Sequence, residues 1–329
     1  MLPLLIGALA ASTYTNPVID RDLPDPGVLR ADGAYWMVHT TGGPKFGWPL
    51  YRSTDLVHWT FMKHLLEEGV NKPAWMKDAL WAPEIHRVVG PRGKVRYLAT
   101  GTAWNPDSKT LCVGMAVSDK VDGPYTVGQS PIVREKVSVL DTNVYQEGGK
   151  LYLLWKRDSD DGKGVGGSLR LRQLDATGMA FAPGSAEKTV LTGSAAATDP
   201  AAVWEKGLVE APWLIKKNGW YYLFYSGAFI DTTYSVGIAR SKKLDGPYTR
   251  YSGNPILKSN DVWGGPGHGG FVEDGKGTLW HLYHARRQSE PKGGRKQMLD
   301  RVIWKDGWPG FPNNGTPTTT PQTAPAPLR

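Results

Sequence analysis

An all-β fold, a five-bladed β-propeller in a single domain, is predicted by an internal repeat and by a turn-rich composition. The repeat is a glycine followed closely by an aromatic residue inside an alternating apolar run. Its copies are Gly33-Ala34-Tyr35-Trp36-Met37-Val38, Gly93-Lys94-Val95-Arg96-Tyr97-Leu98, Gly149-Lys150-Leu151-Tyr152-Leu153-Leu154, Gly219-Trp220-Tyr221-Tyr222-Leu223-Phe224 and Gly277-Thr278-Leu279-Trp280-His281-Leu282-Tyr283. Each reads as a turn glycine feeding a strand. The chain also carries 40 glycines and 25 prolines, which favours turns over long helices. A β-sandwich needs fewer residues, and a parallel β-helix repeats at a shorter period.

The elements follow in order. After the first copy, Arg52-Ser53-Thr54-Asp55-Leu56 through Trp59 reads as an outer strand ending in a tight turn. Val117-Ser118-Asp119 through Gly123-Pro124-Tyr125 repeats that element, as does Arg240-Ser241-Lys242 through Gly246-Pro247-Tyr248. The propeller is expected to span residues 12–312. Residues 1–11 are apolar, with Ala8-Leu9-Ala10 as a small-residue cleavage site, and read as a signal peptide despite lacking a positive n-region. Residues 313–329 are rich in Thr, Pro and Ala, the composition of a tail or linker outside the folded unit. An extracellular location is therefore expected.

Composition narrows the function classes. The net charge is +8, but Lys and Arg are scattered and no nucleic-acid motif accompanies them. No nucleic-acid partner, no membrane partner and a monomeric state are expected. Cys112 is the single cysteine, which excludes an internal disulfide and a cysteine metal cluster. Within Leu111-Cys112-Val113-Gly114-Met115 it reads as a buried small hydrophobe. The 14 Trp and 14 Tyr against 7 Phe suit strands, where most should be core, and also suit sugar-stacking surfaces.

Upstream of the repeat glycines stand Asp25, Glu84, Asp141, Glu210 and His268. If the repeats superpose, these five begin the innermost strands and converge on one mouth of the channel. A lone loop carboxylate usually caps a turn, but five ionisable residues in register point to a site. Gathered carboxylates suggest glycoside hydrolysis, which needs a protonated acid at the leaving oxygen and an ionised carboxylate opposite. The same groups, with His268, could instead hold a metal.

At this point the chain resembles glycoside hydrolase family 43, from about Asn16 to Thr316. The matching segments are Asn16-Pro17 with Leu23-Pro24-Asp25-Pro26, Trp81-Ala82-Pro83-Glu84-Ile85-His86, Val139-Leu140-Asp141, Glu210-Ala211-Pro212, Gly265-Pro266-Gly267-His268-Gly269 and Asp306-Gly307-Trp308-Pro309. The resemblance implies a five-bladed propeller and an inverting mechanism. It makes Asp25 the general base, Glu210 the general acid, and Asp141 the carboxylate that orients Glu210 and raises its pKa. Asp22 competes with Asp25 for the base role, and the Asp-Pro dipeptide decides for Asp25. His268 corresponds to an axial histidine that faces a calcium-centred water cluster in part of the family. No cofactor is implied for the chemistry itself, and a structural calcium ion near His268 is the one metal expectation. Trp81 is either a stacking wall beside the sugar or packing between blades. Glu84 is expected at the substrate, and Arg295 either reaches the sugar hydroxyls or sits on a solvated basic loop. Ala211 departs from the glycine more common in the family, and the Asp- and Gly-rich stretch 158–167 is unusual.

The family implies a carbohydrate substrate, namely arabinan, arabinoxylan or oligosaccharides derived from them. An α-L-arabinofuranosidase is the first expectation; a β-xylosidase and an endo-arabinanase are alternatives. A non-catalytic sugar-binding propeller is the reading from another class. It could dispense with any of the three carboxylates, and all three are present.

Overall fold

The computed structural model describes residues 12–43, 45–160, 166–193, 199–229 and 232–328. The proposed signal peptide at residues 1–11 lies outside them. Four antiparallel sheets have four strands each, running outward in chain order. Blade I is Gly27–Ala31, Ala34–Val38, Phe46–Ser53 and Thr60–Glu67. Blade II is Asp78–Val89, Val95–Asn105, Thr110–Ser118 and Thr126–Val127. Blade III is Val139–Glu147, Lys150–Arg157, Ser168–Leu174 and Lys188–Thr192, and blade IV is Val209–Lys217, Trp220–Gly227, Ser235–Ser241 and Thr249–Arg250. Blade V has three strands of its own, Trp263–Glu273, Leu279–Arg287 and Lys296–Arg301. Each first strand touches the first strand of the next blade, and Trp263–Glu273 returns to Gly27–Ala31. The ring is closed.

Alternation along the strands explains the packing, because successive side chains leave opposite faces of a blade. Along Trp220–Gly227, Tyr222 and Phe224 enter a cluster with Trp263, Phe271 and Tyr283 of blade V. Their neighbours Tyr221, Leu223 and Tyr225 enter another with Leu154, Leu169 and Leu171 of blade III. Both faces of a blade are therefore apolar, and the core is a set of wedges between blades. Cys112 is fully buried in the wedge between blades I and II.

The ring is fastened by the segments that precede blade I and follow blade V. Val18 N–H donates to Gln297 O (2.9 Å) and Gln297 N–H to Ile19 O (3.0 Å), so the N-terminal segment lies along the outer edge of blade V. Asn16 accepts from Leu299 N–H (2.8 Å) and donates to Leu299 O (3.1 Å) and Thr318 Oγ1 (3.0 Å). Buried Asp300 accepts from the hydroxyls of Tyr283 and Thr318, both at 2.6 Å. Thr13–Tyr14 pairs with Gln322–Thr323, and Ala326 N–H donates to Asp274 Oδ2 (3.0 Å). The composition of residues 313–329 predicts a tail outside the folded unit; residues up to Leu328 instead lie packed on blade V and the N-terminal segment. Proline and threonine bring few apolar groups, but here backbone groups and the Thr318 hydroxyl do the docking.

Candidate active site

Each blade has a non-glycine residue with left-handed backbone before or within its first strand: Asp25 (φ 57°), Ala82 (43°), Asp141 (53°), Ala211 (51°) and His268 (40°), with Ala79 (51°) a second in blade II. Such conformations are uncommon outside glycine and collect at functional sites. In blades II to V the same level carries a break in ladder register, between Trp81 and Glu84, Leu140 and Asn143, Glu210 and Trp213, and around Gly267. A bulge of this kind re-aims side chains at a sheet's end. The structural equivalents are thus Asp25, Ala82, Asp141, Ala211 and His268, which corrects the register expected from sequence.

Glu210 stands one residue before this level and still reaches the site. Glu84 stands two residues beyond it, further along its strand. Its carboxylate is buried, and Oε2 accepts from Asn143 Nδ2 (3.0 Å) and lies 2.6 Å from His86 Nε2. Glu84 therefore does not share the level of Asp25, Asp141 and His268. The cause is local: a 3-10 turn, Pro91–Gly93, lengthens the blade II hairpin and shifts the count from its glycine.

Asp25 is buried and heavily supported. Oδ2 accepts from Thr40 Oγ1 (2.6 Å) and Oδ1 from Arg295 Nη1 (2.9 Å). His284 Nδ1 lies 3.2 Å from Oδ1, and His268 Nδ1 lies 3.5 Å from it. Burial pushes the carboxyl up, but Arg295, His268 and His284 outweigh burial and hold it well below the usual range. Asp25 is ionised. Asp22 is not in this group; its Oδ1 accepts from the Arg295 backbone N–H (2.6 Å) and so orders the Arg295 loop.

Glu210 and Asp141 form the opposite pole. Glu210 Oε1 accepts from Tyr234 OH (2.6 Å) and Oε2 from Lys156 Nζ (2.9 Å). Asp141 Oδ2 accepts from Ala211 N–H (3.2 Å) and lies 3.8 Å from His268 Nδ1. Burial and the nearby Glu210 charge push Asp141 up to about 7, against the pull of His268 and Lys156. Burial also pushes Glu210 up, but Lys156 and Tyr234 outweigh it and leave Glu210 below its ordinary value. The resemblance implies a raised pKa on Glu210; in this resting arrangement the raised value falls on its neighbour.

Trp81 is 39% exposed and lines a cleft of about 750 Å³ with Phe46, His39, Thr40, Asp22 and Arg295. Arg295 is not a solvated loop residue but points at Asp25. Lys156, Tyr234, Thr40 and His284 were not singled out by sequence reasoning. Lys156 carries only a weak signal, a charge directly after the apolar run Leu151–Trp155 and ahead of Arg157 and Asp158.

His268 bears on the calcium expectation. It brings one ligand atom within 4.8 Å of one each from Asp141 and Glu210. Calcium takes six to eight oxygens, and both Glu210 oxygens are already engaged, one by an ammonium group. Most of a calcium ion's oxygens at this place would therefore have to come from water rather than from these side chains. Among the described residues no helix is long and apolar enough to cross a membrane.

Comparison with known proteins agrees with the fold. A "xylan 1,3-beta-xylosidase" from Vibrio sp is 25% identical over 96% of this chain. A "non-reducing end alpha-L-arabinofuranosidase" from Bacteroides ovatus is 26% identical over 96% of it. The chain spans 61% and 58% of the lengths of these relatives. A solved structure described as a thermostable family-43 glycoside hydrolase superposes with TM-score 0.82 at 25% identity, covering 95% of this chain and 99% of that one. The model of glycosyl hydrolases family 43 matches residues 14–309, and the chain belongs to that family.

Proposed function

We propose that the protein is an inverting glycoside hydrolase acting on pentose-containing arabinan or arabinoxylan, as an α-L-arabinofuranosidase. The observation that carries this reading is that Asp25 faces Asp141 and Glu210 across the imidazole of His268, whose Nδ1 lies 3.5 Å from Asp25 and 3.8 Å from Asp141. In the proposed step Asp25 takes a proton from water as the water oxygen attacks the anomeric carbon. Glu210 gives a proton to the leaving glycosidic oxygen, and the bond to that oxygen breaks. Burial pushes Asp141 up to about 7 while Lys156 holds Glu210 low, so donation by Glu210 requires that a proton pass to it from this neighbour or from solvent. Trp81 offers a face for stacking the sugar, while Arg295 lies beside Asp25 with donors left for hydroxyls. The arabinofuranoside preference draws on the activity for which the Bacteroides ovatus relative is named. Export from the cell belongs to the same proposal and rests on the apolar Met1–Ala11.

The test is hydrolysis of aryl α-L-arabinofuranoside and aryl β-D-xyloside, with the product's anomeric form followed by NMR. Release of arabinose with inverted configuration is the expected result. Xylose release alone would replace the sugar assignment, and a retained configuration would overturn the mechanism. Release from neither substrate, with cleavage of polymeric arabinan, would make the enzyme an endo-arabinanase.

A further inference from the structure

The structure assigns Lys156 as a positioning residue that fixes the Glu210 carboxylate for proton donation, with Asp158 fixing Lys156 in turn. This rests on the reading of Glu210 as the acid. Lys156 lies near the end of the second strand of blade III, with its side chain 6% exposed. Its cross-strand partners are Leu140 and Leu169, so the surrounding sheet supplies no reason for a cation. A buried ammonium persists only where opposing charges meet it. Here two do: Glu210 Oε2 accepts a hydrogen bond at 2.9 Å, and Asp158 Oδ1 lies 3.1 Å away as an ion pair without a hydrogen bond.

Tyr234 completes the arrangement from the other side. Its hydroxyl takes Glu210 Oε1 at 2.6 Å, and its ring lies parallel to that of His284. A carboxylate gripped at both oxygens cannot turn about its terminal bond, and a fixed acid is worth far more than a free one. Asp158 opens the Asp- and Gly-rich stretch 158–167. The first residue of that segment is thereby tied to the acid through a single lysine.

A purely structural ion pair would, when broken, harm all substrates alike. A positioning role harms most those whose leaving group needs a proton. The experiment compares kcat on two aryl glycosides of the pentose that the wild type cleaves, one releasing dinitrophenolate and one releasing unactivated phenolate. E210Q is run alongside. K156Q is expected to lose about 100-fold on the phenyl glycoside and less than about fivefold on the dinitrophenyl one, as loss of proton transfer requires. KM should stay within about threefold on both. K156R keeps the charge and so guards against misfolding; it should fall between wild type and K156Q in leaving-group dependence. Equal losses on both substrates, in either variant, overturn the proposal, as does a K156Q protein indistinguishable from wild type. An E210Q protein with no leaving-group dependence would instead sink the acid assignment itself.

Discussion

Ala211 holds a backbone φ of 51°, a region where a β-carbon crowds the following carbonyl. That explains why glycine is the commoner residue after the acid in this family. Ala211→Gly should raise unfolding free energy by about 1 kcal/mol, read from a denaturant midpoint at unchanged slope. A drop in stability would mean that the Ala211 methyl is needed for packing. At the catalytic groups, Asp25→Asn and Glu210→Gln should each lower kcat by at least ~100-fold while the melting temperature stays close to wild type. Near-wild-type turnover in either would remove that residue from the mechanism. The pH profile follows from the same charges. Asp25, held low, stays ionised well into acid, so the base is lost only as pH falls far below neutrality. The proton on Asp141 leaves as pH rises, and kcat/KM should decline through about 7 if that proton supplies the acid. In Asp141→Asn the only remaining carboxyl of the pair is Glu210 beside Lys156, so the alkaline limb should move to lower pH. An unmoved limb would place that titration elsewhere.

At the scale of elements, the repeat glycines and the alternating strands are legible in the sequence because turn chemistry and burial on both blade faces leave a direct mark. The level of each first strand is less so. A bulge changes which residue faces the mouth without changing composition, and this is why Glu84 reads as level with Asp25 but lies further along its strand, beside Asn143. Lys156 and Tyr234 come from a second strand and from the approach to a third, distant in sequence from Glu210, and only the folded sheet brings them together. Gly267 shows how closely these elements fit. A β-carbon there would lie 2.5 Å from the Tyr234 ring. Gly267→Ala should therefore push Tyr234 off Glu210 and lower kcat by roughly 10-fold or more, the cost of a misplaced catalytic contact. Unchanged kinetics with an unchanged fold would show that Tyr234 does not matter to the acid.

For the whole molecule, the five wedges between blades make stability a property of the closed ring. The fastening at blade V is its one non-repeating joint, and it depends on polar groups. Asn16→Ala leaves the Leu299 N–H without its partner, while Leu299 C=O keeps Tyr14 OH and Thr318 keeps Asp300, at a cost of about 1–3 kcal/mol for the orphaned buried donor. A melting curve shifted by less than a degree would show that the ring holds without it. None of this joint is visible in composition, because Thr and Pro look alike in a docked segment and a loose one.

That docking has a practical corollary. Leu328 lines the opening where the first-strand hairpins turn, with Asp32 and Glu273, while the cleft lined by Asp22, Trp81 and Arg295 lies at the other end of the first two blades. An anchor attached beyond Leu328 would hold the molecule by its back. On a resin or a fibre, the cleft would then face outward into the liquid, free to meet chains too large to diffuse to it.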